Sequence, residues 1–138
     1  MIWVWLVLVL GCSADHYAAK GKAAVAAHAL SEAEGHYRAG LGRDPKHLDS
    51  LSGLGWVYLL AGKQDAASAA FAHCLVVAPE HVDCMRGSAS VAVAKGNSAR
   101  AKSLLETALA AAPHDAGVQS SLALLELAQG DTEAALGR

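Results

Sequence analysis

Apolar residues recur along the middle of this chain at the spacing of a helix face. Leu51, Leu54, Gly55 and Tyr58 fall at i, i+3, i+4 and i+7, and Ala67, Phe71, Cys74 and Leu75 form a second such stripe before Pro79. Gly62 lies between the stripes, where a helix-ending residue belongs. The arrangement repeats. Pro45, Pro79 and Pro113 are 34 residues apart, and Gly62, Gly96 and Gly130 keep the same interval in another phase. Two sets of helix breakers sharing one period define a unit of two helices, one ending at the glycine and the other before the proline. The predicted helices run near 15–27, 30–42, 47–61, 64–77, 81–95, 98–111, 115–129 and 132–137. Capping residues agree: Asn97 and Asp131 follow turn glycines and can accept the next helix's free N–H groups, and Asp44 before Pro45 marks a turn.

The segment 51–79 resembles the tetratricopeptide repeat, whose pattern is a tryptophan or leucine, Leu-Gly, a tyrosine, a later Ala-x-x-x-Phe and a proline. Here these are Leu51, Leu54-Gly55, Tyr58, Ala67, Phe71 and Pro79. The first unit offers Tyr17, Gly21, Ala24, Ala33, Tyr37, Gly40 and Pro45, with His28 where the turn glycine belongs. The third offers Met85, Ala89, Ala92, Ala101, Leu105, Ala108 and Pro113. The fourth offers Leu122, Ala123 and Ala135 and stops early in its second helix. The units are 14–47, 48–81, 82–115 and an incomplete 116–138. The resemblance implies an all-α, right-handed α-solenoid of about three and a half helix hairpins, each burying its face only against its neighbours. Gly55 and Ala67 let paired helices approach closely, while Tyr58 and Phe71 fill the space beside them.

The resemblance also implies a concave face, lined by the first helix of each unit, that holds a peptide or helix of a protein partner. Residues offset from the packing stripe are Lys22, Ser52, Trp56, Leu59, Arg86, Ser90, Val93, Ser120 and Leu124. Trp56 and Arg86 are the expected anchors, and Ser52, Gly53, Gly87 and Ser90 are expected to leave room for a partner's backbone. Trp56 has a second reading, as core packed on the next helix. The paired Lys and Asn residues with which chaperone-binding members clamp a carboxylate are not evident.

The N-terminus departs from the repeat. Met1 to Leu10 is an unbroken apolar run, followed by Gly11 and Cys12, and is too short to span a bilayer. Val9-Leu10-Gly11-Cys12 resembles a bacterial lipobox, with residues 1–11 the signal and Cys12 the lipidated first residue of a mature chain 12–138. No basic residue precedes the run, and Leu10 is larger than the residue usual there. An ordinary signal or anchor, or a buried segment, are the alternatives. Ser13 after the cysteine, in place of aspartate, favours the outer membrane by the bacterial sorting rule.

Composition narrows the function. Apolar residues make up 54% of 138, but only 5% are aromatic and 31 are alanine, so elements pack closely through small side chains. Eleven basic against thirteen acidic residues give a net charge of −2, with no basic excess to neutralise nucleic-acid phosphates. Disorder, a collagen-like chain and a disulfide-dense mini-protein are excluded.

Reactive side chains form no recognisable motif. Walker, Gly-x-Ser-x-Gly and His-Glu-x-x-His sequences are absent, and Gly40-Leu41-Gly42 and Gly53-Leu54-Gly55 read as packing glycines. Neither an enzyme nor a cofactor is expected. His47 and His81, one repeat apart, read as helix-entry residues. The stretch His73-Cys74 to His81-Val82-Asp83-Cys84 has zinc-capable ligand types, but its spacing matches no paired-knuckle form, so no metal site is expected. Antiparallel helices joined at Pro79 would bring Cys74 and Cys84 within reach of a disulfide; two small buried hydrophobes is the equal alternative.

The resulting reading is an envelope lipoprotein acting as a protein–protein adaptor, facing the periplasm from the outer membrane. It resembles the small tetratricopeptide lipoproteins that assist pilus or secretion machines, such as type IV pilotins or the Tad/Flp assembly lipoprotein. A soluble cytosolic scaffold, or a metal-responsive or enzyme-regulatory module, are the rival readings. Leu122, Leu124, Leu125, Leu127 and Leu136 make the C-terminal end a candidate for self-association or docking.

Overall fold

The computed structural model of the chain describes residues 13–130 and Gly137. The lipobox-like segment with Cys12, Asp131, Leu136 and the expected helix 132–137, Gly137 apart, lie outside the described residues. The described residues form seven helices: α1 Ala14–Ala26, α2 Leu30–Arg43, α3 Leu48–Leu60, α4 Gln64–Val77, α5 Val82–Ala94, α6 Ser98–Ala111 and α7 Ala116–Ala128. Each stands within a residue or two of its predicted span. Helices α1/α2, α3/α4 and α5/α6 form hairpins, and each first helix also touches the first helix of the next unit, α1 to α3 to α5 to α7. Second helices make no such contacts among the described residues. First helices therefore line one continuous face of an α-solenoid.

Local chemistry sets the helix ends. Gly62, Gly96 and Gly130 adopt φ of 77°, 78° and 79°, the left-handed conformation that closes a helix C-terminus and is open to glycine without strain. His28 occupies the same place in the first unit and is forced to φ 59°. At the other turns, His47, His81 and Asp115 are equivalent N-caps, accepting from the backbone N–H of Ser50, Cys84 and Val118. Asn97 caps α6 by accepting from Arg100 N–H, and Asp44 Oδ1 accepts from Lys46 N–H at 3.0 Å.

The core follows the period. Tyr37 and Phe71 are equivalent, and each ring is sandwiched between glycines of two successive first helices. A Cβ on Gly21 would lie 2.7 Å from the Tyr37 ring and one on Gly55 2.6 Å from the Phe71 ring, while Gly53 and Gly87 press still closer on the far sides. Close packing of this kind leaves no room for an added methyl. The room expected at Gly53 and Gly87 for a partner's backbone is thus filled from within by the rings of α2 and α4. At the C-terminal end, Leu122 and Leu125 are buried, whereas Leu124 is 66% and Leu127 45% exposed.

Candidate functional site

The face lined by first helices holds a groove of about 700 Å³. Its floor and walls come from Lys22 and Val25 of α1, Tyr37 of α2, Asp49, Ser52, Gly53 and Trp56 of α3, the cap His81, Asp83 and Arg86 of α5, and Ser121 of α7. Of the nine residues expected on the concave face, the groove brings together Lys22, Ser52, Trp56 and Arg86. Leu59 is half-buried against the core, and Ser90 donates to the Arg86 carbonyl. Val93 and Leu124 are exposed away from the groove, as is Ser120.

Asp83 organises the site. It stands in the first turn of α5, where the helix field favours an anion. Oδ2 accepts from Ser52 Oγ and, at 3.1 Å, from Trp56 Nε1, and Oδ1 accepts from Arg86 at 2.9 Å. Burial alone would raise the carboxyl's pKa. The hydrogen bonds from Ser52, Trp56 and Arg86, with the guanidinium charge, outweigh it and hold the group below its ordinary value. The Arg86 guanidinium lies 5.2 Å from the centre of the Trp56 ring, a cation–π distance. That indole also meets Phe71 edge-on at 5.4 Å. Trp56 is therefore both things the sequence allowed: half-buried against the core and exposed to the groove.

Beneath this platform Tyr37 is buried, and its pKa is raised by that burial, then by the charges of Asp49 and Asp83. Lys22 reaches Asp49 at 3.4 Å across the groove mouth, both side chains largely exposed. Both cations of the groove are thus already paired with carboxylates, so neither is held as a ready clamp for a partner's carboxylate. Neither Asp83 nor Asp49 stands among the residues expected in the groove, because each sits two positions before its packing stripe begins, at Met85 and Leu51. Their shared register with Asp15, at intervals of 34 residues, was the available signal.

Immediately after Asp83, Cys84 of α5 is bonded to Cys74 of α4, with 6.3 Å between their Cα atoms. Both are fully buried. His81 stands beside them, and the ligand atoms of Cys74, His81 and Cys84 all lie within 4.8 Å of one another. The spacing of these zinc-capable residue types along the chain matches no paired-knuckle form, yet the turn at Pro79 folds the three positions together in space.

Residues 14–74 and 87–137 match the family model described as tetratricopeptide repeat. No curated protein matches the chain. Among solved structures, a thermophilic tetratricopeptide protein of Thermus thermophilus superposes with a TM-score of 0.83 at 18% identity, over 88% of this chain and 69% of that one. The first tetratricopeptide domain of human RPAP3 gives 0.78 at 17% identity, over 88% and 95% of the two chains. The first tetratricopeptide domain of Spaghetti (RPAP3), bound to an HSP90 peptide, gives 0.76 at 17% identity, over 85% and 93%. At these identities the likeness is one of fold. No described helix is long and apolar enough to cross a membrane.

Proposed function

The chain belongs to the tetratricopeptide repeat family, and from that premise we propose that it is a non-enzymatic adaptor whose groove takes a segment of a protein partner. The observation that carries this reading is the platform of Trp56, Arg86 and Asp83, held in place before any partner arrives. Trp and Arg are the residue types most often found as binding hot spots, and preorganisation lowers the ordering cost of association. A structural relative holds an HSP90 peptide, which supports a peptide-sized occupant here. Because Lys22 pairs with Asp49 and Arg86 with Asp83, the groove favours shape and apolar contact over net charge, and salt weakens binding little.

The test is site-specific photocrosslinking in the native host. Benzoylphenylalanine at Lys22 or Ser121, which border the groove, should yield adducts. The same probe at Ser68 or Ala72, on α4 and lining a separate hollow, should not. Adducts from Ser68 or Ala72 alone would sink the groove reading.

The finer reading is an envelope lipoprotein, tethered through Cys12 to the outer membrane and assisting assembly of a pilus or secretion machine. Support comes from the apolar run ending at Gly11-Cys12 and from the Cys74–Cys84 bridge, a bond suited to an oxidising compartment. Ser13 caps α1 by accepting from His16 N–H, so a lipid on Cys12 would stand one residue before that cap. Labelling with a clickable fatty acid should mark the wild type and not Cys12→Ser; a wild type wholly in the soluble fraction overturns the tether. The exposed Leu124 and Leu127 supply a surface for self-association, which sedimentation at high concentration would detect and Leu124→Glu would abolish.

A further inference from the structure

The junction between the second and third units differs in chemistry from its neighbours. Cys74 stands where the other units carry Gly40 and Ala108, and Cys84 stands where they carry Ser50 and Val118. The cap histidine recurs at His47 and His81. In the first junction, His47 Nδ1 contacts Ser50 Oγ at 2.8 Å, so this register aims the imidazole at the side-chain heteroatom three residues on. In the second junction that atom is the sulfur of Cys84, with the sulfur of Cys74 beside it. His81 is only partly buried and lines a surface hollow with Ala78, Pro79 and Glu80, so solvent reaches the histidine, while both cysteines are buried behind it.

We propose that Cys74, His81 and Cys84 form a binding site for a thiophilic d10 cation of the Zn2+ class, available when the disulfide is reduced. Two thiolates and an imidazole are a soft donor set for such an ion, and a fourth tetrahedral position is left to water. Opening the site consumes two electrons and two protons: a dithiol reductant breaks the S–S bond, is itself oxidised to a disulfide, and leaves two thiols. Zn2+ then displaces both thiol protons. In the disulfide form neither sulfur is a thiolate, and the site is closed. Bridge and metal are alternative staples across one turn, so the junction of α4 and α5 stays closed in either redox state. The inference does not rest on what the groove binds, although His81 borders both.

The test uses the full chain carrying Cys12→Ser in mild detergent, so that Cys74 and Cys84 are its only cysteines. Zn2+ is titrated against a chromophoric chelator, with and without a dithiol later removed under anaerobic conditions. One Zn2+ per reduced chain is expected, and none per oxidised chain. Cys84→Ser should lose binding, and His81→Ala should bind more weakly by at least about tenfold, the scale of losing even a supporting partner at a metal site. Cobalt in place of zinc should show sulfur-to-metal charge transfer in the reduced wild type and not in Cys84→Ser. Circular dichroism guards against unfolding: if reduction melts helices, Zn2+ should restore them. A reduced wild type that fails to compete with the chelator, or whose helices Zn2+ leaves melted, overturns the site. So does His81→Ala binding like wild type, since the histidine is then no ligand.

Discussion

Trp56 donates its indole N–H to Asp83 across 3.1 Å, from the first helix of the second unit to the first helix of the third. A solenoid unit is stabilised through its neighbours, and this bond crosses that boundary on the face where a partner would sit. Ser52 and Arg86 converge on the same carboxylate. One acidic side chain therefore both shapes the groove and adds to the packing and the disulfide that join these two units.

Replacing Asp83 by Ala should destabilise the chain by about 1–2 kcal/mol, from unmade hydrogen bonds. The low end applies because the carboxylate is 38% exposed and solvent screens its pairing with Arg86. The pH dependence has a definite sign. The folded pKa lies below the unfolded value, so the contribution is fully present above the ordinary Asp range near about 4. It is lost as pH falls through the lowered folded value. Denaturant midpoints measured from pH 7 to pH 3 should fall more steeply for wild type than for Asp83→Asn; parallel curves would remove Asp83 as the linked group.

The glycines divide by what stands beside them. Gly53 and Gly87 abut the rings of Tyr37 and Phe71, whereas nothing lies within 4 Å of a Cβ placed on Gly35 or Gly42. Gly53→Ala and Gly87→Ala should each cost about 1–3 kcal/mol through overpacking. Gly35→Ala, in the interior of α2, should instead stabilise by about 0.5–1 kcal/mol from helix propensity. Thermal melts of the three variants check the opposite signs.

His28 carries the turn conformation that glycine carries in the other units. His28→Gly should raise stability by about 1 kcal/mol, because a left-handed conformation costs a residue with a Cβ about that much or more. An unchanged or lowered melting temperature would mean that the exposed histidine makes a compensating contact.

Much of this molecule was legible in its chain. The 34-residue period of Pro45, Pro79 and Pro113 fixed the helix order, and Leu51, Leu54, Gly55 and Tyr58 are all buried as their spacing requires. His28 stands out in the sequence itself as a departure from the turn glycine. The groove was less legible. A stripe rule assigns residues to a face but not to a depth, so Ser52 and Arg86 were placed on the inner face without the carboxylate that binds them. Small residues posed a similar problem: Gly53 and Gly87 read as free space, because the rings that fill them come from helices 16 residues away in each case. The Cys74–Cys84 approach was legible from the hairpin at Pro79, but the addition of His81 to it was not, because ligand spacing along a chain says little once a tight turn intervenes.

The last prediction separates the two roles of Trp56. Trp56→Phe keeps a ring against Phe71 and removes the N–H to Asp83, so it should cost about 1 kcal/mol of stability. Trp56→Ala removes both and should cost about 2 kcal/mol or more, below the range for a fully buried tryptophan because this ring is half exposed. Binding is then measured with a peptide selected against the folded chain from a display library. If the indole is a groove anchor, Trp56→Ala that remains folded should weaken that peptide by about 2 kcal/mol, roughly thirtyfold, with Trp56→Phe between the two. Equal binding by all three folded proteins would make Trp56 a packing residue only. Recognition would then have to come from another surface, and the exposed Leu124 and Leu127 of α7 would be the next to substitute.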